Sequence, residues 1–571
     1  QSFRLPRDLR RDTNTDFRLR FLNSDMQYVQ NLNENKIIEI TSSLMISGSP
    51  IIIEKGDNLV TGSGTLVFGK SLDEGIKLEY VDDDESLKMT HVKGGVNQKV
   101  LQEFRGTKGG VQLGGDVAGH TTKGDLSGSA ILGGKAHELQ DSTGSAILSG
   151  EGNVMSGSEL SSIISGENNQ IIGSTRAIVV GGSTNQITSS NDAYIGTGTT
   201  NYVSKSDGAA IITGTTNLIN ISDAAIIASG DQNTIVGSNY AGILGGEQNV
   251  VSASRVASIL GGERNEILLD RYSSIVGGEG NTIGRKNSVT GYGWNFIGGG
   301  QSNGMVRGER YSVICGGYHN RISGSATTYY NSIVGGYDNE IEDAIGSVIC
   351  GGFENTISGS TNRNHDYHFI GAGKGNLISM GDGLLSEHNS IVAGENNQIK
   401  SNKDNYTINN IIGAGEGNII RGILGVSQYR WNGIFCGYLN KIDGSDADAG
   451  TDGNFIGGGY SNLISGSDWS AILGGYNNTL KHDNSFIVGS NLTSTAPNTT
   501  YVENLNVAGQ LTTLQITSSI ISSSVLYSSG SNIFGDASTD THTFNGDVSV
   551  SGDITGSNLL ITSSAATNVV Q

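Results

Sequence analysis

Proline is almost missing from this chain, with 3 among 571 residues that include 86 glycines. Those glycines keep no three-residue period, so a collagen-like helix is excluded. Only three cysteines occur, Cys315, Cys350 and Cys436. They are too few and too far apart for a zinc cluster. Cys315 and Cys350 occupy equivalent places in a repeat described below, and thiols packed in a core are the expectation. Charged residues are 16% and the net charge is −20. That balance lacks the positive stripe of a nucleic-acid binder. No apolar run reaches the ~18 residues of a membrane helix, so membrane insertion is not expected. The one basic cluster lies near the start, with Arg4, Arg7, Arg10, Arg11, Arg18 and Arg20. It reads either as a docking segment or as a solvated strand edge.

What is present is a schedule. "SIVGGEGNTI" begins at Ser274, "SILGGERNEI" at Ser258 and "SIVGGYDNEI" at Ser332. With asparagine as the marker, the positions run Asn153, Asn169, Asn185, Asn201, Asn217, Asn233, Asn249, Asn265 and Asn281, each sixteen residues on. His137 holds the place before them. Asn303, Asn320, Asn339, Asn355, Asn376, Asn397, Asn418, Asn440, Asn462 and Asn478 follow at steps of sixteen to twenty-two. A shortened unit follows at Asn491. Fixed-period self-similarity marks a solenoid.

Three places hardly vary. Six residues before the marker stands isoleucine, with Val179 the one exception. Three before stands glycine, and two after an aliphatic residue or methionine. Two such places eight residues apart imply two short strands per coil, each with one large side chain inside. Glycine at this density is incompatible with helix. The fold class expected is all-β, an elongated parallel β-roll or β-helix of about twenty coils, stacked ~4.8 Å apart into a rod of roughly 100 Å. Glycine supplies positive φ at a corner, and a stacked asparagine can hydrogen-bond to the next coil.

The residue five before the marker is often apolar too, as at Leu132, Ile164, Leu244, Leu260, Val276 and Val334. Adjacent strand residues point to opposite faces, so both faces ask for cover. Either other copies supply it, three chains being the usual number for a fibre, or a third side of a larger single-chain coil does.

The expected organisation is an N-terminal β-rich attachment or base domain at 1–110, solenoid repeats at 111–491 and a slender C-terminal β stem at 492–571. Within the solenoid, 136–290 carries regular coils and 291–491 carries coils with insertions. "GAGKGN" at Gly371 and "GAGEGN" at Gly413 resemble phosphate loops. The same slot also reads "GGGQSN", and no strand–loop–helix surrounds it, so nucleotide binding is not expected. "GGERNE" lacks the nine-residue period and aspartate ligands of calcium-binding repeats. Neither cofactor nor metal is expected. Glu263, Glu279, Asp338, Glu354, Glu395 and Glu416 fall in an outward corner as solvated decoration, and no catalytic residue is assigned. Carboxylates from separate coils could still meet as in a polysaccharide depolymerase. The insertions fall only between one marker's following strand and the next marker's isoleucine. They bring Tyr329, Tyr330, Tyr367, Tyr429 and Trp431, with Trp294 and Trp469 near the same corner. Insertions on one edge of a solenoid commonly form its binding face, which makes these five the candidate receptor contacts. The competing reading is that their rings pack back on the coils or between chains.

"NSIVGGYDNEI" and "SAILGGYNN" resemble the head repeats of trimeric, YadA-like autotransporter adhesins. That resemblance covers roughly Leu113 to Asn491 and implies a left-handed β-roll in a homotrimer that holds host surfaces. Ile333 with Ile341, and Ile472 with Leu480, match its core pair. The period here is longer than that family's. "GSNIFGDASTDTHTFNGDVSVSGDI", Gly530 to Ile554, resembles tail-fibre and structural proteins of marine bacteriophages. Together they imply a non-enzymatic homotrimeric virion fibre, an external appendage such as a phage tail fibre. Its partners would be other virion structural proteins and a host surface glycan or protein, with no nucleic acid and no membrane insertion. A fibre-borne depolymerase and a bacterial surface adhesin are the alternatives.

Overall fold

The computed structural model describes five N-terminal strands between residues 65 and 113, most of 120–512, and a few residues in 541–555; side chains are described from residue 120. Within the solenoid, 285–292, 307–309, 325–327, 360–364, 381–384, 402–405, 423–427 and 445–450 lie outside the described residues, as does the basic cluster at 4–20. Residues 1–504 form one unit and 505–571 another. The second unit's described residues are exposed and include no strand.

The chain is all-β where described. Strands Thr65–Ser71, Glu74–Val81, Ser86–Lys93 and Val96–Arg105 form an antiparallel meander. Gly110–Leu113 pairs antiparallel with the last of them and parallel with Ser129–Ile131. That short strand therefore converts a meander into a solenoid.

Each coil then repeats one path. A first strand, such as Ser258–Ile259, carries the isoleucine, and a second, such as Glu266–Leu268, carries the other aliphatic residue. Both pair in parallel with the coils before and after, in strict marker register. Ile259, Ile267, Ile275 and Ile283 are completely buried, as the period predicts. A third side exists as well, a ladder of single-residue bridges such as Thr143–Glu159–Thr175. In the longer coils it widens into a true parallel sheet of His365–Asp366, Leu385–Glu387, Tyr406–Ile408, Gln428–Arg430 and Thr451–Asp452. Stacking continues past the expected boundary at 491 to Thr500–Val502, which pairs with Phe486–Val488.

The corners explain the two small residues. At Gly278 φ is +89°, and a Cβ there would stand 2.0 Å from the Gly300 carbonyl oxygen. Next comes the marker. The Asn265 carboxamide oxygen accepts the backbone N–H of Asn281 at 3.0 Å, while its Nδ2 donates to the carbonyls of Gly261 and Gly278. Every buried polar atom of the marker is thereby paired. His137 serves because its Nδ1 accepts the Asn153 N–H just as Oδ1 would.

Inside, alternation also settles the cysteines. Cys315 and Cys350 follow the buried isoleucine directly, so they point outward and are exposed, as is Cys436. The core placement expected for them is corrected: the strand period of two sends their neighbours, not them, inside.

Candidate functional site

Nine residues before each marker the backbone turns with positive φ, and the side chain stands out from the corner. In the first coils this place holds Gly144, Leu160, Arg176, Asp192, Gly208 and Ala224. From Tyr240 onward aromatic residues recur there, with Val256, Gly346, Asn409 and Gly453 among the exceptions. The rings of Tyr272, Trp294, Tyr311 and Tyr330 stack in succession at 4.9, 4.9 and 5.2 Å. Tyr367 stacks on His388 at 5.4 Å and lies over Gly346, which has no side chain to obstruct it. Trp469 lies over Gly453 in the same way and reaches Trp431, at 6.3 Å between ring centres. The Arg430 guanidinium sits 4.9 Å from the Trp431 ring centre, within cation–π range.

Of the five candidate contacts, three belong to this corner. Tyr330, Tyr367 and Trp431 are 58%, 57% and 51% exposed. Tyr329 sits in the third-side ladder between Arg310 and Ile345, half-buried, with its ring edge-on to Tyr330. Tyr429 is 1% exposed. Its row, with Thr407 and Thr451, points inward from the widened third side and fills space that the insertions open. A ring so placed presents nothing to a receptor, and Tyr429 leaves the candidate set. Stacking has a further effect. Ring faces point along the ladder and are used by neighbours, so edges and hydroxyls face outward, except where glycine interrupts the row.

Beside this corner runs an open groove of about 540 Å³. Tyr240, Val256, Tyr272 and Trp294 form one wall, and Ala241, Gly242, Ala257, Ser258 and Ser274 the floor. Such a trough with an aromatic wall suits a sugar or protein edge.

A second aromatic ladder was not anticipated. Two residues before the marker, Tyr318, Tyr337 and Phe353 stack at 5.0 and 4.7 Å, and the Lys374 ammonium lies 6.0 Å from the Phe353 ring centre. Tyr438 and Tyr460 stack at 5.4 Å, and Tyr476 continues their bridge ladder. The signal was in the sequence as "GGY" or "GGF" ending at Tyr318, Tyr337, Phe353, Tyr460 and Tyr476. It shows once units of unequal length are aligned on the marker. In the regular coils that place is polar throughout, with Glu151, Glu167, Glu247, Glu263 and Glu279 in half of them and Lys135, Ser183, Thr199, Thr215 and Asp231 in the rest.

Ionisable groups buried in the stack include His137 and Asp270. His137 stacks on His120 at 5.0 Å, and burial, with the neighbouring histidine, lowers it to about 4. A row of inward serines, Ser142 through Ser254, ends at Asp270. Burial pushes that carboxyl up to about 6, against hydrogen bonds from Ser273 Oγ at 2.6 Å and Asn295 Nδ2 at 3.1 Å. Among the described residues no group of three or more His, Cys, Asp or Glu side chains is arranged to hold a metal ion. The chain matches no known family model, and no curated protein resembles it in sequence.

Proposed function

We propose that this chain forms a structural and adhesive fibre on the outside of a virion, of the tail-fibre kind, which positions and contacts a host cell surface. The observation that carries this reading is the division of one continuous stack. Coils before Tyr240 keep short corners with no aromatic side chain on them, whereas many later coils put exposed aromatic residues on two corners. A rod that keeps its interior while changing its corners separates reach from contact. Repeated weak contacts raise avidity without a deep pocket, more so when three copies present them. The likeness of Gly530–Ile554 to phage fibre stems supports the virion as the particle.

Immunogold labelling of particles tests the location: label on an external appendage is expected, and label confined to the bacterial surface overturns the virion reading. For contact, Tyr330, Tyr367 and Trp431 are replaced together by serine, and attachment to host cells is compared with thermal unfolding. Loss of attachment with near-unchanged melting is expected. Full attachment removes these residues from the contact face.

A further inference from the structure

Arginine in the solenoid is usually answered by a carboxylate of the same chain. Arg176 pairs with Asp192, Arg264 with Glu279, Arg321 with Glu340, Arg421 with Asp443 and Arg430 with Asp452. Arg255 and Arg271 are exposed and have no such partner among the described residues. They stand ten residues before the marker on adjacent coils, ~4.8 Å apart along the stack. Earlier coils put Glu159, Asp207 and Asp223 in that row, so its charge reverses where the aromatic corner begins.

Residues 234–246, 250–262 and 267–278, which carry this corner and the first side, include no Asp or Glu except Asp270. That carboxyl is turned inward to Ser273 and Asn295. Glu247, Glu263 and Glu279 belong to a different corner. Arg430 shows that a guanidinium from the arginine row reaches a ring at the aromatic corner, since it lies 4.9 Å from the Trp431 ring centre. On the other flank of the rings, Ala241, Gly242, Ala257, Ser258 and Ser274 keep the groove floor low, with the Ser258 and Ser274 hydroxyls 2.9 Å apart. Val256 stands where a ring would separate Tyr240 from Tyr272. Tyr240 therefore keeps an open face and is 59% exposed, against 41% for Tyr272, which stacks on Trp294.

We infer that this corner binds an acidic polysaccharide, laid along the stack from Tyr240 to Trp294 with sugar rings in the groove and their anionic groups on Arg255 and Arg271. This deepens the adhesive reading, which supplies only the expectation that the corner meets a surface polymer. Guanidinium takes carboxylate or phosphate in paired hydrogen bonds. Sugar rings meet aromatic side chains, while their hydroxyls find Ser258, Ser274 and the tyrosines. A polymer of repeating units suits a site whose parts recur coil by coil, whereas an acidic protein carries its carboxylates at irregular intervals. Nucleic acid is disfavoured, because stacked rings offer bases few free faces and the chain carries a net charge of −20.

Titration calorimetry on the full chain compares polygalacturonate, which carries carboxylates, phosphomannan, which carries phosphates, and neutral dextran. Binding of an acidic polymer at least tenfold tighter than dextran is expected, and no binding of either acidic polymer overturns the inference. R255Q/R271Q should weaken that binding at least tenfold. Gly242→Ile, which fills the groove floor, should do the same. Gly242 accepts the change because its φ is unstrained, a Cβ there meets only the Ile226 side chain at 3.5 Å, and the coil before carries Ile226 in the same place. Both variants should melt as the wild type does. Full binding by R255Q/R271Q, or an equal loss in Arg264→Gln at the glutamate corner, overturns the inference. Polyglutamate or an oligothymidylate bound as tightly as the sugars shows a bare polyanion site and overturns it too. The adhesive reading fails separately: a chain that binds acidic polysaccharide through both arginines yet never attaches to host cells sinks that reading alone.

Discussion

The regular coils from His137 to Gly284 and the longer coils after Asn295 share one interior and differ on their surfaces. Ile259 and Ile412 are equally buried, and Asn265 and Asn418 make the same hydrogen bonds. Eight residues before the marker, however, regular coils use Ser or Ala, while most coils that follow an insertion use Asn. The reason is reach. In regular coils the Ser145 hydroxyl meets the Ser158 carbonyl. Where added residues push the third side outward, the longer side chains of Asn389, Asn410 and Asn432 span to the carbonyls of Thr407, Tyr429 and Thr451. Coil length and corner residue thus vary together, and a solenoid can be widened on one side without disturbing the other two.

The comparison breaks hardest at the tightest corner. Gly278→Ala should cost about 4 kcal/mol, since the new Cβ collides with the Gly300 carbonyl and φ is positive. Hydrogen exchange should show the loss centred on adjoining coils, because each coil contacts only its neighbours. Similar damage at a distant coil such as that of Asn462 would contradict this locality.

Asn265→Ala and Asn418→Ala sharpen the claim of a shared interior. Each should cost about 3 kcal/mol by leaving buried backbone groups unpaired. A difference above about 1 kcal/mol in denaturant unfolding would show that the longer coils hold the marker differently.

Acid should act in opposite directions at two places. His137 has a folded pKa of about 4, below the ordinary 6.5, so the folded state resists its protonation. Its contribution is complete above pH 6.5 and is lost as pH falls toward 4, by ~2 kcal/mol. Asp270 has a folded pKa of about 6, above its ordinary value, and its charge costs stability at neutral pH. That cost is relieved as pH falls from 6 to 4, also by ~2 kcal/mol. Hydrogen exchange corrected for intrinsic rate should show coils around His137 loosening and those around Asp270 tightening. Asp270→Asn should abolish the second effect and leave the first.

The smallest effect belongs to the outer ladder. Tyr337→Ser breaks two ring contacts and should cost ~1 kcal/mol in thermal unfolding. A loss above ~3 kcal/mol would mean that the ladder supports the core.

The sequence made the interior legible because Ile, Gly and Asn recur at fixed offsets from one marker. It also placed the insertions. The cysteines were readable by the same strand alternation, which sends the residue after the buried isoleucine outward. Tyr429 was not readable. It lies in an added segment without a marker, where nothing in the sequence says which of Gln428, Tyr429 and Arg430 turns inward. The second aromatic ladder was obscured by unequal coil lengths, which hide a constant offset until every unit is aligned.

The backbone hydrogen bonds between coils run along the stack, which gives the rod an unusual response to tension. A pull along that direction loads each interface between coils in series, so the weakest interface yields first. One sixteen-residue coil that opens releases about 50 Å of extended chain, and a twenty-two-residue coil about 70 Å. Slack of that size would relax the load before the next interface fails. A particle held by such a rod would therefore be on a tether that lengthens stepwise under force, with the longer coils providing the longer steps.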